Sequence, residues 1–258
     1  DSKRGRELWI TDGTETGTKL FLDLLKGPES SYPSSLTLIG DKLFFVENYG
    51  GSLSLLDLTN SNKLKIGDGA GAVYGSNFAV GDQLVFKSAD VRKGLEWYVS
   101  DGTITGTHLL ADIRKGTIGA FDYLSNEKEI SALAPGGKIF FAANDGIHGD
   151  ELWSSDLTST NTKLFADIAP GSAWSSPNYL KVAADKLFFV AYDKTDWQVY
   201  VMGLADAPPP ASTYIPFKQG EWLQTFGAKN YIGSGYFNYL EGVATDSKSN
   251  VYLTGHFL

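Results

Sequence analysis

Acidic residues recur at matched places in this chain. Asp12, Asp101 and Asp156 each stand two residues before a threonine, and Asp23, Asp112 and Asp167 each close the next apolar run. Repeated carboxylates suit a hard cation such as calcium, which takes clustered oxygen ligands. An aspartate opening an Asp-Gly turn instead accepts backbone N–H bonds. That turn chemistry is the favoured reading of Asp12 and Asp101. The densest local group of oxygens is NDGIHGDE over 144–151, where Asn144, Asp145, Asp150 and Glu151 make a candidate calcium site. Its spacing lacks the alternating acids and closing Glu of an EF-hand loop.

Aromatic side chains offer a second chemistry, because their flat faces stack on pyranose rings. Trp9 and Trp153 occupy one repeat position, matched by Tyr98 and Tyr200. Packing between sheets produces the same recurrence and is favoured there. Trp174, in PGSAWSSPN, falls outside that register in a segment that reads as an exposed loop, and is the first candidate for a ligand contact, ahead of Trp9, Tyr98 and Trp153.

Catalytic residues do not present themselves. The chain of 258 residues has no cysteine and three histidines, which removes disulfides, thiolate metal sites and a cysteine nucleophile. The strands expected innermost read SLTLIG, SNFAVG, ISALAPG, YLKVA and GVATD, with Asp246 as their one acid. A carboxylate pair at glycosidase separation is therefore not evident. Neither is a nucleophile elbow or a phosphate-binding glycine loop. The net charge of −8 speaks against a nucleic-acid partner, which requires clustered Lys and Arg. No apolar run is long enough for a membrane-spanning helix. The opening DSKRGRELWI carries no apolar leader, and the chain reads as a processed or excised piece.

The elements that must position these residues come from an internal repeat. Residues 7–18 read ELWITDGTETGT, 96–107 read EWYVSDGTITGT and 151–162 read ELWSSDLTSTNT. Strand-like runs such as DKLFFVEN (41–48), DQLVFKSA (82–89), GKIFFAAN (137–144) and DKLFFVAY (185–192) complete the pattern. Weaker copies are SLSLLD (52–57) and QVYVMG (198–203). The period of roughly 45–55 residues is close to that of a four-stranded propeller blade. Each unit carries four short β-like runs parted by Gly/Asp turns, whereas helical periodicity is confined to SNEKEISAL (125–133). The 29 glycines and 34 aromatics (Phe 15, Tyr 13, Trp 6) fit many short strands joined by tight turns. Paired Phe44-Phe45, Phe140-Phe141 and Phe188-Phe189 predict blades that bury both faces.

The order ELW, DGT, GT, apolar strand, GDKLFF over about 5–204 resembles the ELW-DGT, or hyalin-like, repeats of large bacterial surface proteins. SLSLLDL (52–58) departs from it by lacking Trp and DGT, and WQVYVMGLAD (197–206) by lacking DGT and GT. The C-terminal stretch, through Trp222, Gly227, Gly242-Val243, Asp246, Asn250-Val251-Tyr252 and Gly255, resembles a second bacterial propeller repeat of the form GVAVDSSGNVYVTG. These resemblances imply a propeller without assigned catalytic activity.

The expected fold is a single all-β propeller of four-stranded antiparallel blades over 1–258. Five blades are expected: 242–257 shared with 7–24, then 34–69, 76–113, 130–168 and 178–227, the last with a Pro-rich insertion at 205–220. The alternative is a fragment whose ring needs residues beyond Leu258. The expected function is a non-catalytic interaction, adhesion or assembly module, extracellular or at the bacterial cell surface, with no cofactor apart from the calcium option. Its partner would be a protein or glycan, and the split blade would permit self-assembly by strand exchange. Alternatives are a lectin-like carbohydrate-binding propeller and a propeller-fold glycoside hydrolase or other hydrolase.

Overall fold

The computed structural model describes residues 3–48, 51–66, 73–121, 131–183, 185–204, 239–245 and 251–256. The chain divides into two compact units, Asp1–Leu109 and Leu110–Leu258. Both are built from short antiparallel strands, each hydrogen-bonded to its neighbour in sequence.

In the first unit, β1 (Leu8–Ile10) pairs with β2 (Lys19–Leu22) as a two-stranded sheet. The strands β3 (Ser34–Ile39), β4 (Lys42–Val46), β5 (Leu53–Asp57) and β6 (Lys63–Lys65) form a four-stranded meander. A second meander contains β7 (Val73–Val80), β8 (Gln83–Asp90), β9 (Gly94–Ser100) and β10 (His108–Leu109). Two-residue turns join the first strands of each: Ile39 pairs with Lys42 across Gly40-Asp41, and Val80 with Gln83 across Gly81-Asp82. Gly40 and Gly81 have φ of 56° and 57°, the positive value a type II′ hairpin turn demands at its first central residue.

The second unit repeats the plan. Strands β11 (Ser131–Leu133), β12 (Ile139–Asn144), β13 (Asp150–Ser155) and β14 (Lys163–Ala166) form one sheet. A three-stranded sheet follows, of β15 (Asn178–Ala183), β16 (Lys186–Tyr192) and β17 (Trp197–Gly203), and then a hairpin of β18 (Tyr239–Thr245) and β19 (Val251–His256). Ser131–Leu133, the end of the one segment with helical periodicity, is strand. The rest of that segment, the insertion at 205–220 and any fourth strand of the blade expected over 178–227 lie outside the described residues, as do Asp246 and Trp222.

The leading strands of successive sheets lie side by side: β3 by β7 in the first unit, β11 by β15 and β15 by β18 in the second. Sheets stacked this way bury both faces of their second strands, β4, β8, β12 and β16, and the adjacent phenylalanines show it. Phe44 packs with Leu53, Leu55, Leu84 and Phe86. Phe45 turns the other way, onto Leu8 and Leu56. Phe189 joins Phe140, Leu152 and Phe165, while Phe188 faces Val190 and Ala183. All of these phenylalanines are buried, each worth about 1.5–3 kcal/mol of burial.

Candidate functional site

The glutamate of the ELW motif holds a loop. Glu7 Oε2 accepts from Leu24 N at 2.7 Å and Ser31 Oγ at 2.8 Å, while Oε1 accepts from Ser31 N at 3.0 Å. Glu151 Oε2 accepts from Ile168 N at 2.8 Å and Ser175 Oγ at 2.6 Å, while Oε1 accepts from Ala169 N at 3.1 Å. Both carboxylates are buried, and Glu7, just before β1, and Glu151, on β13, each tie down the segment that leaves their own sheet. The carbonyl at the latch serine then accepts from the end of the next sheet's second strand: Asn48 N donates to Ser31 O, and Tyr192 N to Ser175 O. Glu96 occupies the third ELW-type position, but Ala120 stands where a hydroxyl would be. Burial pushes the Glu151 carboxyl up to about 7, outweighing the donors that favour its charge.

The aspartates of the DGT motif are absorbed by turns. Asp12 Oδ1 accepts from Thr14 Oγ1 and N at 2.7 and 2.9 Å, and Asp101 Oδ1 from Thr103 Oγ1 and N at 2.7 and 2.8 Å. Asp156 Oδ1 accepts from Thr158 Oγ1 and N at 2.6 and 3.0 Å. Asp57, in a copy that lacks DGT, does the same with Thr59 at 2.6 and 2.9 Å. The working unit is therefore D-x-T, and the threonine hydroxyl above all, then its N–H (for Asp156 the Asn161 amide before it), holds these four carboxyls below their usual range. The later glycine belongs to the same turn. A Cβ on Gly17 would stand 1.8 Å from Asp12 Oδ1, and one on Gly106 would stand 2.1 Å from Asp101 Oδ1. In the third copy Asn161 replaces the glycine and donates its Nδ2 to Asp156 Oδ2 at 2.7 Å.

The four residues of the candidate calcium site serve separate local structures. Asn144 Oδ1 accepts from Gly146 N at 2.7 Å. Asp145 Oδ1 accepts from Ile147 N and His148 N at 2.8 Å each, and its Oδ2 meets His148 Nδ1 at 2.7 Å. Asp150 offers its backbone carbonyl to Ser175 N and Ser176 N, and Glu151 is the latch. Among the described residues, no group of three or more His, Cys, Asp or Glu is placed to hold a metal ion. The Asp145 hydrogen bond raises the His148 imidazole above its usual value.

The candidate ligand aromatics divide by exposure. Tyr98 is 5% exposed and packs in the core with Phe86, and Trp153 is 9% exposed. Trp9, at the matching register position, is 45% exposed on the two-stranded β1–β2 sheet. Trp174 is 51% exposed and has company that sequence reasoning missed. Its ring stacks on Tyr192 with centroids 5.1 Å apart and planes at 25°. Trp197 lies 6.4 Å from Trp174 and 5.9 Å from Tyr192. Tyr192 and Trp197 face each other across the β16–β17 ladder. The turn between them is closed by Asp193, which accepts from Thr195 N, Thr195 Oγ1 and Asp196 N. The signal was available by aligning copies: where this sheet has the cross-strand pair Tyr192–Trp197, the preceding one has Asn144–Asp150.

These sheets define an all-β chain of propeller type, and the solved structures it is similar to are β-propeller proteins. No family model matches the chain, and no curated protein matches it. It is similar to the puromycin hydrolase S511A mutant complexed with PGG at 13% identity and a TM-score of 0.50, over 92% of this chain and 35% of that one. It is also similar to the computationally designed Ika4 protein (16% identity, TM-score 0.42, 77% of this chain, 98% of that). TolB from Acinetobacter baumannii follows at 12% identity and a TM-score of 0.39, over 78% of this chain and 42% of that one. The chain thus spans about a third of the hydrolase and under half of TolB. Identities this low speak to the fold alone. Among the described residues, no helix is long and apolar enough to cross a membrane.

Proposed function

We propose that this chain is a non-catalytic binding module of a bacterial surface or extracellular protein, acting in adhesion or assembly, on a five-bladed propeller. The observation that carries the reading is the division of labour among its residues. The recurrent Glu7, Glu151, Asp12, Asp57, Asp101 and Asp156 are engaged in latches and turns, while Trp174, half exposed and stacked on the partly buried Tyr192 beside Trp197, belongs to neither. Features that recur serve the fold, and function resides in what departs from it. The five-blade count, with 242–257 and 7–24 sharing a blade, is supported by two two-stranded sheets, β1–β2 and β18–β19, each half a blade within its own unit.

The test is adhesion. Beads coated with the full chain are expected to bind bacterial cell-envelope preparations and to release no soluble product from peptide or polysaccharide substrates. Turnover of such a substrate at an enzymatic rate, or the absence of any adhesion, contradicts the proposal.

A further inference from the structure

We infer that Trp174, Tyr192 and Trp197 form a platform for a neutral glycan built of all-equatorial, glucose-like pyranoses. The inference rests on the binding-module reading above and names the ligand class. Three observations carry it.

The first is shape. Trp174 lies against Tyr192 on one side and still exposes half its surface, and Trp197 extends the aromatic surface at 45° to it. Tyr192 and Trp197 are partly buried and back the exposed Trp174, so the three rings leave one contiguous apolar surface, and such surfaces mark interaction sites. All-equatorial pyranoses present axial C–H bonds as a flat apolar face, the shape complement of an indole ring.

The second is rigidity. The segment carrying Trp174 is fixed from several sides: Ser175 N and Ser176 N both donate to Asp150 O at 3.0 Å, Tyr192 N donates to Ser175 O at 2.8 Å, and Ser175 Oγ donates to Glu151. Lys194 Nζ donates to Pro170 O. Gly149 makes room for it, since a Cβ there would stand 2.0 Å from Ala173 O. A pre-ordered aromatic loses little freedom on binding, which favours a weakly interacting ligand such as a sugar.

The third is departure from the repeat. Counting from the latch glutamate, the residue matching Trp174 is Ser30 in the first copy. Counting by the hydrogen bond to the latch carbonyl, the residues matching Tyr192 are Asn48 and Asn144. The same backbone is thus built elsewhere without aromatics, so the fold does not require them. Charge narrows the class: the rim turn carries Asp193 and Asp196 beside Lys194, and the chain is −8 overall, which disfavours anionic polysaccharides.

The test is titration of the full chain with cellohexaose and chitohexaose, read by calorimetry and tryptophan fluorescence. Saturable binding is expected with a Kd of roughly 10 μM to 1 mM. Trp174→Ser and Tyr192→Asn restore residues the repeat itself uses, so both variants are expected to fold with an unchanged unfolding midpoint. Trp174→Ser is expected to weaken binding by about tenfold or more. No saturable binding to either hexamer overturns the inference, as does binding that Trp174→Ser leaves intact, or a preference for an anionic hexamer of alginate. Adhesion to cell envelopes without glycan binding would overturn the ligand class and leave the binding-module reading standing.

Discussion

The carboxylate of Asp12 fills the space that a side chain on Gly17 would need, with Oδ1 only 1.8 Å from where a Cβ would stand. That relationship explains why an acid and a glycine recur five residues apart, and it holds again for Asp101 and Gly106. Gly106→Ala is therefore expected to destabilise the chain by ~1–3 kcal/mol through overpacking. Asp101→Ala removes the obstacle, so the double variant should cost less than the sum of the singles. Denaturant unfolding of the three variants measures both.

The buried glutamate latch makes stability depend on pH. Burial raises the folded-state Glu151 carboxyl to about 7, from an ordinary value of 4.5. The folded chain then holds a proton that the unfolded chain has released, so the Glu151 contribution is full below about 4.5 and is lost as pH rises towards 7. The depressed Asp12, Asp57, Asp101 and Asp156 act oppositely, weakening the fold only below their ordinary value of 3.8. Unfolding midpoints measured from pH 4.5 to 8 should therefore fall with rising pH. Glu151→Gln, which keeps one acceptor oxygen but sets an amide donor among donors, should flatten the slope and cost ~1–3 kcal/mol.

One register position separates packing from display. Trp153 is buried and Trp9 is half exposed at equivalent sites of their sheets. Trp153→Ala should cost ~3–5 kcal/mol, whereas Trp9→Ala should fall within about 0.5 kcal/mol of the parent. Thermal or denaturant melts of the two variants give the comparison directly.

Much of this fold is legible in the sequence, because a two-residue alternation forces Phe44 and Phe45 to opposite faces and a Gly-Asp pair sets the hairpin. Turn chemistry for Asp12 and Asp101 was also legible, since an Asx turn needs only neighbours in the chain. The latch was not: Glu7 reads as one more position in a strand, and its partner Ser31 lies 24 residues on, in a segment without pattern. The platform was half legible. Trp174 stood out as a departure from register, but Tyr192 and Trp197 joined it only once the β16–β17 ladder set them face to face.

The surface aromatics should report their own accessibility. With Trp174 half exposed, acrylamide should quench the full chain more strongly than it quenches Trp174→Ser, and a saturating neutral hexasaccharide should reduce that difference. Equal quenching of parent and variant would mean that Trp174 is covered in solution.

The most direct test of the division of labour between repeat and departure is adhesion to cell envelopes by three forms of the full chain: parent, Trp174→Ser and Asp101→Ala. The expected result is that Trp174→Ser loses about tenfold or more in apparent affinity with its unfolding midpoint unchanged, while Asp101→Ala loses stability and, at a temperature where it remains folded, binds as the parent does. Full adhesion by Trp174→Ser, or loss of adhesion by folded Asp101→Ala, would contradict it.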